Sequence, residues 1–209
     1  MYRIIDDGSS EIVEKKSRFL GFAISVDSAD EAVDKITEIR KKHYDARHVC
    51  YAYVIDGLVK SSDDGEPQGS AGRPITDVLV HLGLDHCLVA VVRYFGGILL
   101  GVGGLIRAYT SAAQEALDDA SLMELHSGFP LTVTLDYNEY GKADYFFNEN
   151  RIPRTGTEYG TGVTLHLMVP SELKPLVDKH LAEITAGKAS PDWGHEQEYG
   201  IVDGEVISI

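Results

Sequence analysis

A strand-like run that passes through five glycines into a helix-like run constrains this chain more than any other stretch. Leu88 to Val92 is unbroken apolar sequence, and Leu105 to Leu117 repeats apolar residues at helical spacing. Between them the run from Arg93 to Tyr109 holds Gly96, Gly97, Gly101, Gly103 and Gly104. A continuous apolar strand reads as central and covered on both faces. Glycine admits positive φ and lets another group approach the backbone closely. A glycine loop that opens a helix leaves N–H groups unpaired at the positive end of the helix dipole. The segment is therefore either an anion pocket or a tight strand-to-helix connection, and Arg93 and Arg107 bracket it. No Lys-Ser or Lys-Thr follows the glycines, and Gly101-x-Gly103 is followed by Gly104 and Ile106. The P-loop and dinucleotide fingerprints are both missing, which sets aside ATPase and dinucleotide readings.

The rest of the composition narrows the partners. With 209 residues, 44% hydrophobic and 25% charged, the chain suits one large domain or two small ones. Its formal net charge of −14 argues against a chain-wide pull on nucleic acid, since phosphate binding needs clustered Lys and Arg. Residues 1–128 carry 13 Lys+Arg against 20 Asp+Glu, and 129–209 carry 6 against 13, so neither half is a basic module. A local basic face stays open. Cys50 and Cys87 sit in strand-like runs and read as buried thiols. The first residues lack a signal-peptide core and no run reaches membrane-spanning length, so the expectation is a cytoplasmic protein without membrane contact.

Element signals divide the chain near 127–129. In the first part, residues 2–7 and 11–14 read as strands around a Gly8-Ser9-Ser10 turn, and Ser17 to Val26 as a strand. Ser28 to Glu31 is a capping-box pattern opening a helix over 29–43. Val49 to Ile55 reads as strand, 57–73 as loop, Pro74 to Leu82 as helix, His86 to Tyr94 as strand and 104–120 as helix. The second part reads as strand (130–137), helix (138–150), a strand pair joined by Gly160-Thr161-Gly162, helix (171–186) and a last strand (196–202). That order is β-α-β-β-α-β, the ferredoxin-like arrangement.

Two constellations carry chemistry. Asp63, Asp64 and Glu66 crowd one turn. They are either oxygen ligands for Mg²⁺ or a solvated turn. Arg73 stands at the start of one predicted helix and Arg107 in the first turn of another, where a positive side chain opposes the dipole unless an anion is present. Asp63, Asp64 and Glu66 are the internal candidates for that anion; a phosphate is the external one. His48 is a candidate for the pocket's lining, and Lys15, Lys16 and Arg18 form a basic patch.

Four motifs stand in order along residues 15–120: Lys16 to Phe19; Ala46, Arg47, His48, Cys50, Ala52 and Tyr53; Asp63 to Pro67 with Gly69, Ala71, Gly72, Arg73 and Pro74; and the whole run Arg93 to Tyr109. Together they resemble the IMPACT family, in its bacterial, YigZ-like branch with an extra C-terminal domain. The resemblance implies an α+β protein. Residues 1–128 would take the fold of the second domain of ribosomal small-subunit protein five, seen also in RNase PH. Residues 129–209 would form a ferredoxin-like domain resembling one of elongation factor EF-G. Eukaryotic relatives control translation under amino-acid starvation, by competing for the activator of an initiation-factor kinase. The expectation is a translation regulator that binds RNA or a ribosomal component through Arg18, His48, Arg73, Arg93, Gly96, Gly97, Gly103, Gly104 and Arg107, with catalysis left open. A translation-related protein partner is a further expectation, and no cofactor is required. The alternatives are a Mg²⁺-dependent phosphoester hydrolase or nucleotide-processing enzyme using Asp63, Asp64 and Glu66, and a protein–protein adaptor.

Overall fold

The computed structural model describes residues 1–202 and 204–208. The chain divides into two compact units, Met1–Met123 and Glu124–Ile209, and the architecture is mixed α+β. The first holds β1 (Tyr2–Asp6), β2 (Gly8–Glu14), β3 (Ser17–Ser25), α1 (Ala29–Lys42), β4 (His48–Ile55), β5 (Leu58–Ser62), α2 (Gly72–His81), β6 (Cys87–Tyr94) and α3 (Val102–Asp119). Five of its strands form an antiparallel sheet in the order β2-β3-β6-β4-β5. The unbroken apolar run thus occupies the centre. Successive side chains on a strand alternate faces. Along β6, Cys87, Val89 and Val91 join the core under α2 and α3, whereas Leu88, Ala90 and Val92 pack on the other face, with Ala32, Ile36 and Ile39 of α1 in the same clusters.

The same alternation positions polar groups. Arg93 continues the row of Val89 and Val91, and His48 the row of Cys50 and Ala52. The two are paired across β6 and β4. Ser17 continues the row of Phe19 and Ala23 on β3. One end of the α2/α3 face therefore carries Ser17, Arg93 and His48 on three neighbouring strands.

Two glycine-containing runs differ from the turns expected of them. Gly8-Ser9-Ser10 lies inside β2, where a Cβ on Gly8 would fall 2.2 Å from the Ala116 carbonyl oxygen of α3. The glycine admits a helix backbone rather than a turn. Within 57–73, Leu58–Ser62 is a strand, β5, joined to β4 through Asp56 and Gly57 at positive φ. α2 starts at Gly72, two residues before Pro74.

Beyond α3 come β7 (Ser121–Leu135), α4 (Tyr137–Glu149), β8 (Arg154–Tyr159), β9 (Val163–Pro170), a 3₁₀ turn (Ser171–Leu173), α5 (Lys174–Ile184), β10 (Asp192–Trp193), β11 (Gln197–Val202) and β12 (Glu205–Ser208). The division between units falls inside β7. Ser127 and Gly128, where the sequence signals divide the chain, are paired strand residues opposite Glu198 and Gln197. A Cβ on Gly128 would meet Tyr199 at 2.7 Å, so close packing explains that glycine too. The strand order β12-β11-β7-β9-β8 is antiparallel throughout. Leu131, Val133 and Leu135 of β7 and Val163, Leu165 and Leu167 of β9 form one core with Phe146 and Phe147 of α4 and Val177 and Leu181 of α5. Among the described residues no helix is long and apolar enough to cross a membrane.

Candidate functional site

The acidic turn is committed to internal partners, each carboxylate to a different one. The Asp63 carboxylate accepts the N–H groups of Gly69 (2.8 Å), Ala71 (3.0 Å) and Gly72 (2.9 Å). It is thereby the cap of α2, supplying an acceptor to donors that a helix start otherwise leaves unpaired. Burial pushes this carboxyl up, but the three backbone donors outweigh it and hold Asp63 below the usual carboxylate range. Asp64 takes both guanidinium nitrogens of Arg40 at 3.0 Å and the Val49 N–H at 2.6 Å. Glu66, 8% exposed, accepts Arg93 Nη1 at 2.6 Å and Tyr109 Oη at 2.8 Å. The expectation that Asp63, Asp64 and Glu66 together hold Mg²⁺ is corrected accordingly. Their oxygens serve a helix cap, an ion pair and a buried network, and among the described residues no group of three or more His, Cys, Asp or Glu is arranged as metal ligands.

Around Glu66 the buried groups form a chain. Arg93 Nη2 reaches Ser17 Oγ at 3.5 Å, and Ser17 Oγ also accepts the Gly96 N–H at 3.2 Å. Cys50 Sγ lies 3.0 Å from the Asp63 carbonyl and 3.3 Å from Tyr109 Oη. Burial pushes the Cys50 thiol up to about 12, so it stays a thiol. Burial also pushes the Tyr109 phenol up, with Cys50 and Glu66 adding to it, so the hydroxyl remains a donor. His48 Nδ1 is 2.7 Å from the Asp64 carbonyl oxygen. A carbonyl only accepts, so Nδ1 carries the proton, and Nε2 is left 3.9 Å from Glu66 Oε2.

A cavity of about 330 Å³ opens beside this network. Arg47, His48, Glu66, Arg93 and Phe95 form one wall, and Leu99, Leu100, Gly101, Val102 and Leu105 form the other. The second wall is the start of α3. Its N-cap is Gly101, at φ +71° and ψ 165°, which offers no side-chain cap, and its first turn holds no acidic residue. The first backbone bond closes from Leu105 N–H to the Gly101 carbonyl. The N–H groups of Val102, Gly103 and Gly104 meet no acceptor among the described residues.

The glycines separate by role. A Cβ on Gly96 would fall 2.0 Å from Lys16 backbone, and one on Gly104 3.0 Å from Leu100 Cβ. These two make room for the protein itself. Gly97, at φ +85°, and Gly103 face open space, Gly103 with Arg107 Nη1 3.7 Å from its notional Cβ.

The expected arginines also separate. Arg93 lines the cavity and is 5% exposed. Arg107 is exposed beside the α3 start. Arg18 is elsewhere: one residue out of step with Ser17, it projects to the other sheet face, pairs with Glu11 at 2.9 Å and lies over the Tyr94 ring. Arg73 lines a separate, larger cleft of about 770 Å³ between α2 and α3, with Asp77, His81 and Asp118. The expectation of a single nine-residue face is corrected to a smaller set. The residue the sequence reading left out is Arg47, whose guanidinium stacks 5.4 Å over Phe95 while Arg93 lies 5.6 Å from the same ring. Its signal was present: Arg47 directly precedes His48 in one motif, as Phe95 follows Tyr94 in another. Nearby ion pairs go to Arg18, Arg40, Arg73 and Arg93; among the described residues Arg47 and Arg107 make none.

Comparison with known proteins joins these positions to a family. Residues 15–117 match the Impact N-terminal domain, which contains every residue of the cavity, and 133–188 match a domain of unknown function, DUF1949. The IMPACT family member YvyE of Bacillus subtilis is 35% identical over 191 residues, covering 90% of this chain and 88% of the relative. This chain belongs to the IMPACT family. YigZ of Escherichia coli, another IMPACT family member, is 31% identical over 83% of this chain and 87% of the relative. A crystal structure described as a hypothetical protein shares 28% identity and a TM-score of 0.57, over 91% of this chain and 95% of that one. Within this IMPACT family member, the cavity and its arginines belong wholly to the first unit.

Proposed function

We propose that this protein is a cytoplasmic regulator associated with translation, which binds RNA or a ribosomal component through the face of the first unit around the α3 start. One observation carries the reading: an uncapped, glycine-rich helix N-terminus beside two arginines, Arg47 and Arg107, that make no ion pair among the described residues. Such a terminus favours phosphate through its free N–H groups and its dipole. A chain of net charge −14 then holds nucleic acid at this patch rather than by its overall field. The translational setting comes from the family, whose eukaryotic members act in translational control. Fold assignment to the domain type of ribosomal small-subunit protein five and to the ferredoxin-like type is part of the same proposal. For the second, the β-α-β-β-α-β order with β11, β7, β9 and β8 adjacent in that sequence is its support.

The test is filter binding of single-stranded RNA across a salt series. The reading expects affinity that falls with salt, and Arg107→Ala that weakens binding and lowers the slope by about one. Salt-independent binding, or none, by the unmutated protein contradicts it.

A further inference from the structure

We propose that the second unit carries a binding site for a free α-amino acid with an apolar side chain, in a cavity formed by the end of α4, the turn after β9 and strand β11. The cavity lies wholly within the second unit and shares no residue with the RNA-binding face, so it stands or falls independently of that reading.

Tyr199 is the residue that points to a ligand. It lines the cavity and is 2% exposed. It pairs with His126 across β11 and β7, and a Cβ on Gly128 would fall 2.7 Å from its ring. The ring therefore lies across Gly128, whose partner on β9 is Pro170. That direction carries the hydroxyl toward Pro170 and Glu172, both in the cavity wall. Burial, and then the Glu172 charge, push the phenol up, so it stays protonated. Its Oη has no hydrogen-bond partner among the described residues, yet it is open to water. A buried tyrosine hydroxyl usually finds a partner inside the protein. This one offers its donor and its acceptor to the cavity.

Charge selects the kind of ligand. Arg151, just past α4, and Glu172, in the turn after β9, line the same cavity with opposite charges. The ion pairs of this unit go to Arg154, His166, Lys174 and Lys179. Among the described residues Arg151 and Glu172 pair neither with each other nor with another group. Opposite charges that share a small cavity without meeting leave room for a molecule bearing both. An anion alone meets Glu172 there, and a cation alone meets Arg151; a zwitterion satisfies the two together. The guanidinium suits a carboxylate through two parallel N–H···O bonds, and Glu172 accepts from an ammonium. Asn150 Nδ2 donates to the Phe146 carbonyl at 2.8 Å, which leaves its Oδ1 as a second acceptor. Pro153, Pro170, Leu173 and Ile201 supply an apolar wall for a side chain. A volume of about 330 Å³ is the lower end of small-molecule sites, room for one amino acid rather than a peptide strand.

The test is isothermal titration calorimetry of the full chain with L-leucine and L-phenylalanine. Three relatives each lack one feature: N-acetyl-L-leucine has no ammonium, L-leucinamide no carboxylate and glycine no apolar side chain. Saturable binding of L-leucine or L-phenylalanine is expected, with each relative weaker by about tenfold or more. Arg151→Gln should weaken L-leucine about tenfold and leave L-leucinamide unchanged, whereas Glu172→Gln should weaken L-leucine about tenfold and leave N-acetyl-L-leucine unchanged. Tyr199→Phe should weaken L-leucine about fivefold through one lost hydrogen bond. Matched melting temperatures show that the variants fold. No saturable binding of either amino acid at millimolar concentration overturns the proposal. Equal binding of L-leucine and N-acetyl-L-leucine also overturns it, by making the cavity an anion site, and so does binding that all three variants retain. None of these outcomes alters RNA binding by the first unit, whose own failure shows in the salt series.

Discussion

The starts of α2 and α3 are built on the same plan and finished differently. Both helices follow a glycine-bearing loop, both pack on the same face of the same sheet, and both have an arginine within the first turns: Arg73 in one, Arg107 in the other. At α2 the protein supplies its own anion. Asp63 reaches Gly69, Ala71 and Gly72, and Arg73 faces outward with Asp77 3.9 Å away. At α3 no carboxylate arrives among the described residues; Glu66, which shares the cavity lining, is spent on Arg93 and Tyr109. A helix start that lacks an internal anion among the described residues, with Arg47 in the lining of the adjoining cavity and Arg107 in its second turn, is complementary to an external one. The contrast separates a structural cap from the proposed binding site within one domain.

Substitutions at the two helix starts sharpen the contrast. Glu66→Ala strips the buried partner of Arg93 and should cost about 3–5 kcal/mol, because an uncompensated buried charge remains; urea unfolding measures it. Asp63→Ala should cost about 2–3 kcal/mol by the same method, above a single-residue cap because three N–H groups lose their acceptor. The Asp63 carboxyl is held below its unfolded value, so its stabilisation is complete above about pH 4 and is lost as pH falls through the lowered folded value. Asp63→Asn should therefore flatten acid unfolding; an unchanged acid profile would remove Asp63 as the α2 anion. Gly101→Ala should cost about 1–2 kcal/mol through strain alone, since its φ and ψ are those of glycine and the space around it is open. Gly103→Ala, at ordinary helical φ, should leave stability unchanged or raise it by up to about 1 kcal/mol. Any loss of ligand affinity in that variant then reports approach to the α3 backbone, not unfolding.

Much of this was legible in the residues and some was not. The central strand and the flanking helices followed from apolar spacing, and the glycine run leads into the helix start that lines the candidate cavity. The roles of individual glycines were hidden, because Gly96 answers to Lys16, a contact that only the tertiary fold creates, and Gly104 to the Leu100 side chain four residues before it, which depends on where α3 begins. Arg18 was grouped with the wrong partners because one residue of strand parity sends it to the opposite face from Ser17. Asp63 caps a helix that begins at Gly72 after an intervening turn, a distance no local capping pattern anticipates. Asp63, Asp64 and Glu66 looked alike in sequence; geometry gave them three unrelated partners.

The most direct measurement is a ¹⁵N–¹H NMR titration of the full chain with a short single-stranded RNA, following the two helix starts together. The account predicts saturable shifts at the amides of Val102, Gly103 and Gly104, with Ala71 and Gly72 unmoved because Asp63 already holds them. Equal movement at both helix starts, or stationary α3 amides at saturating RNA, would contradict it.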